Sequence, residues 1–267
     1  MIYFIVFLLL LIISYLYLSM PARREIDRAT LLNWDYAHRG FHDNSGPAPE
    51  NSLLAIELAV DNKYGMEFDI RLSKDGQVIL FHDDDLKRMT NRTDHVRNLD
   101  FAELNQIKLL DSDQTIPLFS EVLELVDGKV PIIVELKCPN EDVEELASKA
   151  SQLLDSYEGV FMVESFNPFA VKWFRDNRPN YIRGQLSSGH FPGLAFRDNF
   201  LMKELLVNYL SRPDFIAYEH KYRNKFALWI QKHIWKSLMV CYTVKVKEDY
   251  GINKPVFDLI IFEGFKP

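Results

Sequence analysis

The stretch Gly65-Met-Glu-Phe-Asp-Ile-Arg-Leu-Ser-Lys-Asp-Gly-Gln-Val-Ile-Leu-Phe-His-Asp83 decides how this 267-residue chain is read. It opens as an apolar run with acids at alternate positions, Glu67 and Asp69. In a strand, alternate side chains share a face, so the two carboxylates project together while Met66, Phe68 and Ile70 point the other way. Asp75-Gly76 is a turn signal between two such runs. The returning run Val78–Phe81 then delivers His82-Asp83 beside Asp69. Two acids and an imidazole in one small volume form a metal-assisted acid/base site; the plainer alternative is a two-stranded ribbon with a solvated polar face.

Outward from this hairpin, strand-like runs alternate with helical spacing. Asn33 to His38 precedes it, and a helix beginning at Asn51-Ser52 leads into it. After it come helical patterns over Leu99–Ile107 and Ser120–Val126, separated by Pro117. Strand runs then fall at Pro131–Lys137, Val160–Ser165, Ile182–Leu186, Asp214–Tyr218, Leu238–Thr243 and Phe257–Phe262. Helical patterns over Glu141–Tyr157, from Pro168, over Asp198–Leu210 and over Lys225–Trp235 lie between them. Such alternation implies parallel pairing with right-handed crossovers. The return arm Val78–Phe81 has no crossover helix and must be antiparallel. Eight parallel runs remain, which suits a closed ring, and no glycine-rich phosphate loop of an open doubly wound sheet follows the first. The predicted fold is a TIM-type (β/α)8 barrel with an antiparallel hairpin insertion after strand 2, preceded by an N-terminal transmembrane helix.

A net charge of −7 and a pI near 5.5 argue against a nucleic-acid partner. Two cysteines, Cys138 and Cys241, stand in apolar runs and read as packing thiols, not as a disulfide framework or a thiolate metal site. Ile2 to Leu18 is apolar apart from Ser14, about the minimum for a spanning helix, with Tyr3, Tyr15 and Tyr17 near its ends. No basic residue precedes it and no small-x-small cleavage site follows, so an uncleaved anchor is expected over a signal peptide. The alternative is a buried core helix. Arg23, Arg24 and Arg28 place the carboxyl side in the cytoplasm by the positive-inside rule. The expected organisation is an anchor over 1–20, a juxtamembrane linker over 21–32 and a barrel over 33–267, making a single-pass membrane protein.

In a barrel of this kind the working residues lie at the carboxyl ends of the strands. The polar residues there are His38 and Arg39, then Glu67 and Asp69, then Glu135 and Lys137, with His82 returned by the hairpin. Inward acids in apolar strands are costly unless paired or metal-bound. Three carboxylates without a thiolate suit a hard cation, Mg²⁺ or Ca²⁺. Arg39 and Lys137 suit a phosphate, and two histidines can move a proton each way.

His38-Arg39-Gly40, Pro49-Glu50-Asn51-Ser52, Glu67-Phe-Asp69, Asp75-Gly76, His82-Asp83 and Leu86-x-Arg88-x-Thr90 resemble, in order and spacing, the glycerophosphodiester phosphodiesterase family. Ile116-Pro-Leu, Val134-Glu135-Leu-Lys137, Glu164-Ser-Phe166 and Tyr242-Thr243 resemble its later landmarks. The resemblance implies a barrel that hydrolyses glycerophosphodiesters to glycerol phosphate and an alcohol with a divalent metal. It further implies that Glu67, Asp69 and Glu135 are metal ligands, His38 and His82 the acid/base pair, and Arg39 and Lys137 the phosphate grip. Glu50 is assigned to the substrate side, where it would orient a histidine or the substrate; otherwise it caps the following helix.

Two departures stand out. Val244-Lys245 and Phe262-Glu263 replace the family's Thr-Asn and Thr-Asp-x-Pro pattern, and the chain carries no outer helix after its last strand, a gap for Ala22–Leu32 or lipid to cover. His42, His95, His190, His220 and His233 read as ordinary loop, surface or packing residues, and Trp173, Trp229 and Trp235 as core. The expected substrate is a glycerophosphodiester or, given the anchor, a lysophospholipid, with a lysophospholipase D-type or sphingomyelinase D-like phosphodiesterase as the nearest rival. A non-catalytic, membrane-tethered phospholipid-binding barrel is the reading from a different class.

Overall fold

The computed structural model describes residues 1–267. It begins with an apolar helix, α1 (Ile2–Ser19), and a single turn, α2 (Ala29–Leu32). The short strand β1 (Tyr36–His38) follows, then α3 (Leu53–Asp61) and β2 (Gly65–Leu72) with its return arm β3 (Val78–Leu80). An insertion containing the short helix α4 (Phe101–Leu104) leads to α5 (Phe119–Val126). From there strands and helices alternate: β4 (Ile132–Leu136), α6 (Val143–Leu154), β5 (Phe161–Ser165), α7 (Pro168–Asn177) and β6 (Ile182–Ser187). Two helices, α8 (Phe196–Lys203) and α9 (Asn208–Ser211), reach β7 (Phe215–Glu219). Finally α10 (Phe226–Ile230) precedes β8 (Leu238–Val244), and α11 (Lys247–Asn253) precedes β9 (Leu259–Phe262).

Eight of these strands pair in parallel and close on themselves, since β1 pairs with both β2 and β9. This is the TIM-type barrel expected. The ninth strand is the return arm: β3 pairs antiparallel with Ile70–Leu72 where short β1 has already ended. Asp75-Gly76 makes the turn, with Gly76 at φ +73°, a conformation glycine adopts without a Cβ penalty.

Alternation sorts the strand residues between two cores. Ala37, Met66, Phe68, Ile70, Ile132 and Val134 face outward and pack under α3, α5 and α6. Tyr36, Ile133, Met162, Leu186, Phe215, Leu238 and Ile261 fill the lower interior. The insertion keeps a small core of its own around Phe81, Leu86, Met89, Leu104 and Ile116.

Residues 21–32, expected to be a juxtamembrane linker, run across the floor of the barrel. The Ala22 amide donates to the Pro213 carbonyl, and Arg24 forks onto Asp214 at 2.7 and 2.5 Å. Leu31 is fully buried beneath Tyr36, whose hydroxyl donates to the Leu31 carbonyl at 3.2 Å. The uncovered flank beside β9 and β1 is therefore not closed by Ala22–Leu32. Aromatic rings do that instead: Phe262 packs on Tyr64 at 5.0 Å and on Phe265 at 5.6 Å, and Phe265 meets Tyr250. The helix expected over Asp198–Leu210 is broken, because Leu205 takes a left-handed φ of +58° to bury its side chain. The pattern over Lys225–Trp235 changes from α to a π turn at Gln231. Trp229, expected in the core, is half exposed and stacks on Phe226.

Candidate active site

Inside the ring the strands carry apolar side chains low down and polar ones a step higher. Tyr36 gives way to His38 along β1, Ile133 to Glu135 along β4, and Met162 to Glu164 along β5. Val240 gives way to Tyr242 along β8, and Ile261 to Glu263 just past β9. A period of two keeps both members of each pair on the inward face. The lower layer is sealed by Leu31; the upper layer, at the carboxyl ends, is the site.

Register fixes who meets whom. His38 lies opposite Glu67, Asp69 opposite Glu135, and Glu135 opposite Glu164. Ligand atoms of Glu67, Asp69 and Glu135 all lie within 4.8 Å of one another. Asn51 clasps Asp69 from both sides: its amide donates to Oδ2 at 2.9 Å, and its carbonyl accepts the Asp69 amide at 3.2 Å. Lys137 Nζ stands 2.7 Å from Glu135 Oε1 and 3.3 Å from Asp69 Oδ1, at angles that leave neither oxygen hydrogen-bonded. Its other face lies over the Phe166 ring.

Four buried acids, Glu67, Asp69, Glu135 and Glu164, face two fixed cations, Arg39 and Lys137. The imbalance shows in their protonation. Burial, then Asp69, Glu135 and Glu164, pushes Glu67 well above the usual carboxyl range. Burial and Glu135 do the same to Glu164. Burial also works against ionisation of Asp69, but Lys137 and Arg39 outweigh it and hold that carboxyl far down. Glu67 Oε1 and Glu164 Oε2 are buried with no hydrogen-bond partner. An all-oxygen donor set with an orphaned, proton-holding carboxyl fits a hard divalent cation, which would replace the protons and restore neutrality.

The turn after β1 aims Arg39 into this layer. Arg39 adopts φ +55°, and its amide donates to Glu67 Oε2 at 3.2 Å. Gly40 follows at φ +78°, and a Cβ there would lie 2.8 Å from the Ala55 carbonyl, so no other residue fits. The Arg39 guanidinium reaches Asp69 at 3.2 Å and Glu50 at 2.5 Å. Glu50 is also gripped by Arg88 at 2.7 and 2.8 Å and by Asn44 at 2.8 Å. It does not cap the helix: Ser52 does, accepting the Ala55 amide.

Each histidine is held at Nδ1 by a carboxylate. His38 Nδ1 lies 2.7 Å from Glu263, which Lys245 contacts at 2.8 Å. His82 Nδ1 lies 2.6 Å from Asp83, which Arg88 contacts at 2.7 Å. A carboxylate at Nδ1 fixes the proton there and leaves Nε2 free. His38 Nε2 then faces Glu67 at 3.9 Å. Burial lowers His38 to about 4 against the opposing pull of Glu263, so it is neutral near pH 7. Burial opposes ionisation of Glu263, yet His38 and Lys245 hold it well below the carboxylate range.

Comparison with known proteins bears on what such a layer does. The sequence profile of the Glycerophosphoryl diester phosphodiesterase family matches residues 38–250. The chain belongs to that family. It is 30% identical over 185 residues to a putative glycerophosphodiester phosphodiesterase, YhdW, of Bacillus subtilis, covering 66% of this chain and 74% of that one. It is 31% identical over 252 residues to the human lysophospholipase D GDPD1, covering 82% and 76%. Among solved structures, an Oleispira antarctica phosphodiesterase in complex with the product sn-glycerol-3-phosphate superposes with a TM-score of 0.71 at 24% identity, over 88% of this chain and 94% of that one. At that identity the likeness concerns the fold.

As a member of this family, the chain is a phosphoric diester hydrolase acting on glycerophosphodiesters. The structure gathers His38, Arg39, Glu50, Glu67, Asp69, Glu135 and Lys137 into one connected set, and His82 follows Phe81, whose amide donates to the Asp69 carbonyl at 3.1 Å. Sequence reasoning did not single out Asn51, Asp83, Arg88, Glu164 or Glu263 as functional. Glu164 was findable, as an acid at the end of a strand in register with Glu135. Glu263 had a signal too, as the one charged residue directly after the last strand run.

Proposed function

We infer that this phosphodiesterase is a membrane-anchored enzyme requiring a divalent cation, Mg²⁺ or Ca²⁺, held by Glu67, Asp69 and Glu135. The observation that carries the reading is the pairing of two histidine–carboxylate dyads with one oxygen-rich cluster. Arg39 and Lys137 bind the phosphate, Arg39 through a planar fork held by Glu50, and Lys137 as a point charge. Neutral His38 takes a proton at Nε2 from a glycerol hydroxyl that attacks its own phosphate. His82 gives a proton to the departing alcohol, and water opens the cyclic phosphate with the two roles exchanged. Held geometry makes the attack intramolecular. The bound cation supplies charge neutralisation at the phosphoryl oxygens and a lowered hydroxyl pKa.

The apolar helix α1, with mean hydropathy 2.5 and 6% of its residues buried, supports the anchor. Arg23, Arg24 and Arg28 support a cytoplasmic barrel. The resemblance to human lysophospholipase D favours a second substrate, a lysophospholipid, cleaved by the same groups. The test is turnover by the purified full chain in detergent. Glycerophosphocholine should yield glycerol phosphate and choline, and chelator should abolish this. Binding without turnover, in the presence of either cation, would instead identify a non-catalytic phospholipid-binding barrel.

A further inference from the structure

The direction of α1 relative to the barrel carries information beyond anchoring. Its last turn is docked on the outer wall. The Ser19 carbonyl accepts from Asn208 at 3.0 Å and from Gln231 at 2.7 Å, and Arg212 donates to the carbonyls of Tyr17 and Met20. Asn208 and Gln231 precede β7 and β8, so Ser19 lies at floor level. One turn earlier, the Tyr15 ring lies 6.5 Å from Phe226, and its hydroxyl contacts Glu204. Phe226 opens α10 on the mouth side, after β7. So α1 descends from mouth to floor, in the same sense as the outer helices, and its free portion leaves the barrel on the side of the active site.

Thirteen residues, Ile2 to Ser14, lie beyond this dock. At 1.5 Å per residue they reach about 20 Å, against an apolar bilayer core of about 30 Å. Had the free portion left by the floor instead, the mouth would face away from the lipid. Here the helix reaches deep lipid only if the shoulder beside it enters the same apolar layer. That shoulder is built for it. Phe226 is 65% exposed and stacks on Trp229, itself 51% exposed, while Phe196, 86% exposed, and Leu194 lie on the segment that follows the neighbouring strand β6. Arg197 follows Phe196 and Lys225 precedes Phe226 in the chain, and both would meet lipid phosphates, as aromatic and basic residues do at a membrane interface.

We propose that the mouth of the barrel is pressed against the bilayer, with Phe196, Phe226 and Trp229 seated at the lipid interface, so that the site draws its diester directly from the leaflet. Among the diesters these groups can cleave, the one this orientation favours carries a lipid tail. This rests on the phosphodiesterase reading for its chemistry, but not for its orientation.

The experiment reconstitutes the full chain in phosphatidylcholine vesicles containing lipids brominated along their acyl chains. Two single-tryptophan variants are compared, one keeping Trp229 and one keeping Trp34 at the floor, the others being changed to Phe. Trp229 fluorescence should fall by about half while Trp34 is unaffected; equal quenching of both, or of neither, overturns the orientation. A second arm uses the double substitution F226D/W229D. It should lower turnover of vesicle-held lysophosphatidylcholine about 10-fold and leave soluble glycerophosphocholine hydrolysis unchanged. An equal fall on both substrates overturns the proposal. Loss of all turnover by the unaltered chain, with Trp229 still quenched, overturns the assignment of activity and supports the orientation.

Discussion

Replacing Glu263 by Gln isolates one charge. The Gln amide oxygen can still accept the His38 Nδ1 proton across 2.7 Å, so the tautomer survives while the carboxylate is lost. Charge centres about 4 Å apart interact by about 4 kcal/mol at an effective dielectric near 20. The Glu263 side chain is 20% exposed and shared with Lys245, which reduces the loss by roughly half. The remaining ~2 kcal/mol agrees with the ~1.5–3 kcal/mol of a charged hydrogen bond. If His38 must gain a proton in the transition state, that loss lowers kcat about 30-fold. The sign of the pH effect follows. Without the neighbouring negative charge His38 holds a proton less tightly, so the acidic limb of kcat/KM moves to lower pH while the plateau falls. The assay is kcat and kcat/KM on glycerophosphocholine from about pH 3 to 9 at saturating cation, which spans the His38 limb near 4. A plateau within twofold of the wild type, with an unmoved limb, would refute the dyad.

His82→Ala should lower kcat by roughly 10²–10⁴-fold with an unchanged circular dichroism spectrum; wild-type turnover would remove His82 from the proton path. Because burial and the neighbouring acids raise Glu67 well above the ordinary carboxyl range when no cation is bound, cation binding should release protons and tighten as the pH rises. Calorimetry in buffers of different ionisation heat reads the proton count, and Glu67→Ala should abolish both effects. Leu31→Ala opens a hole in the barrel floor and should cost about 2–5 kcal/mol in urea unfolding, with kcat of the folded fraction retained. Glu50 is brought down to about 2 from its ordinary value of 4.5, by Arg88 and Arg39 against burial. A depressed folded-state pKa means its contribution is present above pH 4.5 and lost as the pH falls toward 2. Glu50→Gln should flatten the stability curve across that window and leave it unchanged in slope above.

Local pattern carried most of the fold. Alternation in Glu67-Phe68-Asp69 puts two acids on one face of the strand, and the breaker at Asp75-Gly76 marks the arm that has to run antiparallel. What local pattern could not reach was contact set by ring closure. Glu263 meets His38 only because β9 pairs with β1, and a register shift in β8 between Cys241 and Val244 accompanies that fit. Nothing near either residue announces the other. Arg88 and Glu50 meet across the insertion in the same way, so the sequence put Glu50 on the substrate side without showing the arginine that grips it. Trp229 misled for a related reason. Helical spacing puts it on an apolar stripe, but the stripe faces α1 and open space instead of the barrel.

The ring is joined through its briefest member. β1 holds three residues, with three register pairs toward β2 and two toward β9, and His38 sits in that seam. Longer strands around the rest of the circumference share more bonds, so gentle heating should part the cylinder here first. Such parting separates His38 from its carboxylate while the outer helices stay wound. Catalysis then behaves as a thermal fuse: turnover fades reversibly several degrees before ellipticity does, and cooling restores it without refolding.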